Sequence, residues 1–140
     1  GMVVRYHHEF VGVNSRLDSI QAAILDAKLP HLDEYIVARQ QAAAFYDQAF
    51  EGNPYLLIPA REKQSSHVFH QYTLRLVNTD RDALRAALIE KGIPAMIYYP
   101  IPLHMQKAYN DPRYKKGDFP IAEKLAKCVL SLPMHTELDQ

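Results

Sequence analysis

Between Leu17 and Ala27, apolar side chains recur at helical spacing. Leu17, Ile20, Ile24 and Ala27 form one stripe, and Leu25, Leu29, Leu32 and Ile36 form a second. Two stripes predict a helix packed on more than one side. Ser15-Arg16-Leu17-Asp18 fits a capping box, with Asp18 in place of the usual glutamate, so the helix is expected to open at Ser15. Pro30 has no N–H to donate to the Asp26 carbonyl, and a kink or break is expected there. The helical pattern resumes to about Phe50, and Gly52-Asn53-Pro54 ends it.

From His67 to Val77 the period changes to two. Val68, His70, Tyr72, Leu74 and Leu76 then share one face of a predicted strand. Thr79-Asp80-Arg81-Asp82 is a second capping-box start, followed by an apolar stripe of Ala83, Leu84, Ala87 and Leu88. Gly92 stands where a C′ glycine belongs. Ile93 to Tyr99 reads as a second strand. Asp118, with Pro120 in the first turn, opens another helix that carries Ile121, Ala122 and Leu125. Val129 to Leu132 reads as a third strand.

The expected class is therefore α+β: a long kinked N-terminal helical arm, then a small three-stranded sheet with helices on one face. The expected division is 1–13 as a tag remnant and lead-in segment, 14–52 as the arm, and 53–140 as a small α+β domain truncated at its end. Gly1 ahead of Met2 reads as a cleavage scar. Val3 and Val4 run into "RYHHEF" with no strand to complete, and Thr136-Glu137-Leu138-Asp139 signals a helix start one residue before the last position. Both ends suggest a piece of a longer polypeptide.

Composition narrows the classes. The 140 residues are 48% hydrophobic, enough for a globular core. Sixteen basic and sixteen acidic residues cancel, which argues against a nucleic-acid or anionic-membrane surface. No apolar run approaches the roughly 18 residues of a membrane span. No secretory signal pattern is present. The single cysteine, Cys128, cannot form an internal disulfide, and a reducing cytoplasm is the expected home.

Two stretches carry candidate chemistry. With Ser15 as the cap, Asn14 would lie just outside the helix with its amide free, and Arg16 would fall in the first turn. A cation there opposes the helix dipole and asks for an anion. Free N–H groups, an amide and a guanidinium suit phosphate or carboxylate. The plainer reading makes Asn14 a turn residue and Arg16 a solvated charge. The second stretch is "YYPIPLH", Tyr98 to His104. Pro100 and Pro102 fix two backbone angles and are expected to hold Tyr99 and Ile101 extended. A stiff wall presents side chains at low entropic cost. His104 adds a group that titrates near neutrality. The plainer reading is a proline-punctuated strand end with His104 satisfied by backbone.

The other histidines lack metal-ligand spacing. His7 and His8 adjoin Glu9 without an H-E-x-x-H pattern, His67 and His70 would face opposite sides of a strand, and His31 and His135 fit helix ends. No metal site is expected. Neither a Gly-rich nucleotide loop nor a nucleophile elbow occurs.

Taken in order, "GVNSRLDSIQAAIL" with Lys28-Leu29, "HVFHQYTLRL", "GIPAMIYYPIPLH" and "GDFPIAEKLAKCVLSLPMH" resemble the C-terminal part of DegT/StrS-type sugar aminotransferases, pyridoxal-phosphate (PLP) enzymes of the aspartate-aminotransferase fold. The likeness runs from about Tyr6 to Leu138. It implies a parent homodimer that moves an amino group, usually from glutamate, onto a nucleotide-linked keto-sugar. It implies that Asn14 reaches the partner subunit's cofactor phosphate, that Arg16 serves the anionic amino donor, and that Tyr98, Tyr99 and His104 belong to a substrate-binding loop. The family's Schiff-base lysine motif, roughly S-x-x-P-x-K, does not occur. Lys28, Lys63, Lys91, Lys107, Lys115, Lys116, Lys124 and Lys127 all lie in other contexts. The chain alone is therefore expected neither to bind PLP covalently nor to transaminate, and a dehydratase branch of the family stays open. A stand-alone α+β small-molecule-binding or regulatory module is the competing reading. A pure dimerisation element is a third.

Overall fold

The computed structural model describes residues 2–138. Its first helix, α1 (Ser19–Lys28), is capped by Asp18 and not by Ser15. Asp18 Oδ1 accepts from the Gln21 N–H at 2.9 Å, and Gln21 Oε1 accepts from the Leu17 N–H at 2.6 Å. This reciprocal pair satisfies two otherwise orphaned donors and outcompetes the shorter Ser15 hydroxyl. Asn14 and Arg16 therefore lie on an irregular segment ahead of the helix, in which Leu17 takes a left-handed backbone at φ +64°. Pro30 acts as expected: a 3₁₀ turn, Leu29–His31, joins α1 to α2 (Leu32–Phe50).

α1 buries nothing within the chain, whereas α2 buries Ala42 and Ala43 and turns Tyr46 and Phe50 onto the core. Past Gly52, at φ +71°, the chain enters a sheet of order β3-β4-β5: β3 (Leu56–Leu57), β4 (Tyr72–Leu76) and β5 (Val129–Leu132). All pairings are antiparallel, with Leu56 opposite Leu76, Tyr72 opposite Leu132 and Leu74 opposite Leu130. Period two sends Tyr72, Leu74 and Leu76 inward with Leu130, where they meet Ala43, Phe69 and Ala95. Burying each larger side chain contributes about 1.5–3 kcal/mol.

Two strand expectations change. β4 is shorter than residues 67–77 because Phe69 takes a left-handed backbone at φ +49°. That inversion buries Phe69 and leaves Val68 and His70 exposed, off the face predicted for them. Residues 93–99 form no regular strand: only Met96 pairs, exchanging two 2.8 Å hydrogen bonds with Ser131. Pro94 cannot donate to a ladder, and Tyr99 turns left-handed. The sheet's third strand is instead the dipeptide Leu56–Leu57.

α3 (Arg81–Glu90) is capped by Asp80 in place of Thr79, with Asp80 Oδ1 accepting from the Asp82 and Ala83 N–H groups at 3.0 Å each. It turns Leu84 and Leu88 to the core, while Ala83 and Ala87 are exposed. Its end is a Schellman motif: Ile93 N–H donates to the Leu88 carbonyl at 2.9 Å and Gly92 N–H to Ile89 at 2.9 Å. α4 (Pro120–Cys128) starts on Pro120 with Phe119 at the cap, and Asp118 accepts from Lys115 N–H instead. Ala126 is buried and Leu125 half-buried, but Ile121 and Ala122 face outward.

At the N-terminus, β1 (Met2–Val4) and β2 (His7–His8) form a small antiparallel hairpin where no strand was expected. Thr136–Glu137 is a turn, and Asp139, part of the expected helix start, lies outside the described residues. No helix among those residues is long and apolar enough to cross a membrane.

Candidate functional site

The stretch from Tyr98 to His104 departs from the extended geometry that its prolines suggest. Tyr99, just before Pro100, sits at φ +54° and not in extended geometry. A residue before proline avoids the right-handed helical region, and here the chain takes the left-handed one. Tyr6, in the hairpin turn, is also left-handed at φ +66°. The two rings meet with centroids 5.7 Å apart, and Tyr6 also packs edge-on against Tyr98 at 6.2 Å. The guanidinium of Arg5 lies over the outer face of Tyr6 at 5.2 Å. Tyr98 is half-buried and Tyr99 is exposed. Tyr6 was missed by sequence reasoning. No local signal brings a residue near position 6 to one near position 99.

His104 lies in a one-turn 3₁₀ segment, Leu103–Met105. Its ring packs against Phe119 at 4.7 Å, and Nε2 lies 3.0 Å from Glu123 Oε1 on α4. The same carboxylate oxygen accepts from Gly117 N–H at 2.7 Å. That N–H bond first, and His104 second, hold the Glu123 carboxyl below its usual range against the opposing effect of burial. An ionised carboxylate only accepts, so His104 Nε2 carries the proton. The His104 side chain is 8% exposed and that of Glu123 14% exposed, so the imidazole is turned into the fold. Glu123 was also missed, because an ion pair nineteen positions apart leaves no pattern in the chain.

Asn14 and Arg16 are exposed and make no hydrogen bond or ion pair within the described residues. Their donors fit an anion. The segment around them, residues 9–30, is exposed throughout. Leu25 and Leu29, at the end of this segment, join Leu32, Ile36 and Val68 in lining an open, mainly apolar cavity of about 940 Å³. Two other histidines serve locally: His67 Nδ1 accepts from Phe69 N–H at 2.9 Å, and His135 Nδ1 from Glu137 N–H at 3.1 Å.

The sequence profile of the DegT/DnrJ/EryC1/StrS aminotransferase family matches residues 1–140. The chain belongs to this family. It is 46% identical over 133 residues to the UDP-N-acetyl-3-dehydro-α-D-glucosamine 3-aminotransferase of Acidithiobacillus ferrooxidans, covering 95% of this chain and 35% of that protein. It is 46% identical over 142 residues to a pleiotropic regulatory protein of Geobacillus stearothermophilus, covering 100% of this chain and 38% of that one. Among solved structures it is similar to DesV of S. venezuelae in complex with a ketimine intermediate, with a TM-score of 0.82 and 38% identity. That match covers 100% of this chain and 37% of DesV. The chain thus spans between a third and two fifths of the length of each of these three proteins. Its long helix and antiparallel sheet are the α+β architecture expected from the sequence.

Proposed function

We propose that the chain is the C-terminal portion of a PLP-dependent aminotransferase acting on nucleotide-linked keto-sugars, with glutamate as amino donor, in a cytoplasmic homodimer. The observation that carries this reading is the unpartnered Asn14 amide and Arg16 guanidinium on an open segment, in a chain similar to nucleotide-sugar aminotransferases. PLP supplies the electron sink for amino-group transfer when bound, anchored on a lysine outside this chain. Asn14 donates to the cofactor phosphate, and Arg16 pairs with the donor's carboxylate. Tyr98 and Tyr99 form the wall against which the sugar nucleotide lies. His104 fastens that loop to α4 through Glu123 while substrate binds beside it.

The exposed apolar residues of α1, among them Ile20, Ile24 and Leu25, support association with further polypeptide, either a second copy or the lysine-bearing portion. The test is the reading frame upstream of Met2. The expected result is a continuous frame carrying the lysine motif, whose product loses PLP affinity about tenfold on Asn14→Ala, as expected for one charged hydrogen bond. In the same product, Arg16→Ala raises KM for glutamate. A 140-residue natural product that exchanged amino groups unaided would overturn the reading.

A further inference from the structure

Gln106 is buried, with 6% of its surface exposed, yet its side chain ends in a polar amide. Its amide spans two parts of the chain. Nε2 donates to the Tyr6 carbonyl at 2.8 Å and to the Ile101 carbonyl at 3.4 Å, while Oε1 accepts from the His8 N–H at 3.0 Å. Turning the amide over would set oxygen against two carbonyls and NH₂ against an N–H, so only one orientation works. The three bonds join the hairpin turn at Tyr6 to the loop that carries Tyr98 and Tyr99.

Both segments hold backbone strain. Tyr6 and Tyr99 both have positive φ, and a bulky residue in that region persists only where its surroundings over-determine it. Ring contacts among Tyr6, Tyr98 and Tyr99 contribute, and Lys107 pairs with Glu9 nearby. The Lys107 amine is exposed, however, and such a pair adds little. The buried link between the two strained turns is Gln106.

We infer that Gln106 is a positioning residue: its amide clamps the Tyr6 turn to the Tyr99–Ile101 loop and presents Tyr6, Tyr98 and Tyr99 as one aromatic wall for the sugar nucleotide. The wall's ligand rests on the function proposed above. The clamp itself does not. An aromatic face packs against the apolar face of a hexose or against a base, and three rings at fixed angles select one ligand orientation at low entropic cost.

Amide exchange and ring-to-ring NMR contacts in the wild-type chain, Gln106→Met and Gln106→Glu test this at neutral pH. Gln106→Met keeps the length and removes the donors and acceptor. Exchange at His8 is expected to rise about tenfold or more, with Leu74 and Leu130 within about twofold and the Tyr6 contacts to Tyr98 and Tyr99 lost. Gln106→Glu is expected to be worse, because it sets a carboxylate against two carbonyl oxygens. Titration with UDP-N-acetylglucosamine is expected to show affinity about tenfold weaker in both variants. Unchanged His8 exchange and unchanged ring contacts in Gln106→Met would overturn the clamp. So would a wild-type spectrum lacking contacts from the Gln106 NH₂ protons to Tyr6, a reading that holds even if both variants fail to fold. Failure of the wild-type chain to bind the sugar nucleotide while His8 stays protected would overturn the ligand assignment and leave the clamp standing.

Discussion

His104 Nε2 lies 3.0 Å from Glu123 Oε1, and neither side chain is more than 14% exposed. The pair ties the one-turn segment after Pro102 to α4. Because Glu123 is held below its usual carboxyl range, it binds fewer protons folded than unfolded near pH 4.5. Its contribution is whole above that pH and is lost as pH falls through the lower, folded value. Glu123→Gln is expected to lower Tm at pH 7 and to flatten the acid limb of a Tm-against-pH curve. An acid limb identical to wild type would show that Glu123 has no such role.

The Tyr72 hydroxyl donates to Asp47 Oδ1 at 2.7 Å from a fully buried ring, and Asp47 also holds Arg61. Burial first, and the Asp47 carboxylate second, push the phenol well above its ordinary value of 10.0. Tyr72→Phe is expected to cost about 1.5–3 kcal/mol in urea unfolding, the range for a hydrogen bond to a charged group. In the wild type, the linked stability is present below pH 10.0 and is lost as pH rises above it. That alkaline limb is expected to shrink in the variant, and equal stability at all pH values would contradict the pairing.

Gly92 adopts φ +79°, and a Cβ built there meets no atom within 4 Å. Gly92→Ala is therefore expected to cost the backbone strain alone, about 1–2 kcal/mol. A larger loss in chemical denaturation would point to a contact that the fold does not contain.

Ile24 is 52% exposed on a helix that buries nothing within the chain. Ile24→Lys is expected to change unfolding free energy by less than about 0.5 kcal/mol while shifting sedimentation toward the monomer. A monomeric wild type at high concentration would remove the case for association through α1.

Helix placement was legible because it depends on neighbours three and four positions apart. Pro30, Gly52 and Gly92 punctuate the chain where their chemistry predicts. Cap identity was less legible. Ser15 and Thr79 fit a sequence pattern, but Asp18 and Asp80 each sit one turn from N–H groups that they reach better. The strands were harder, because Phe69 and Tyr99 invert the backbone inside stretches whose alternation looks continuous. At the site, the exposure of Asn14 and Arg16 was not legible from their neighbours, since Phe10, Val11, Val13 and Leu17 beside them are apolar and yet exposed. Nor were the partners of His104 and of the tyrosines.

The sequence by itself determined the helices, the turns that end them, the α+β class and the family, since each is written in short-range spacing or in ordered motifs. Only the tertiary structure decided which strands pair, that His104 spends its proton on Glu123, and that Gln106 reaches Tyr6 across 100 positions. Those bonds form between segments with no spacing in common, and they exist only once the core around Tyr72 and Leu130 has brought the chain together.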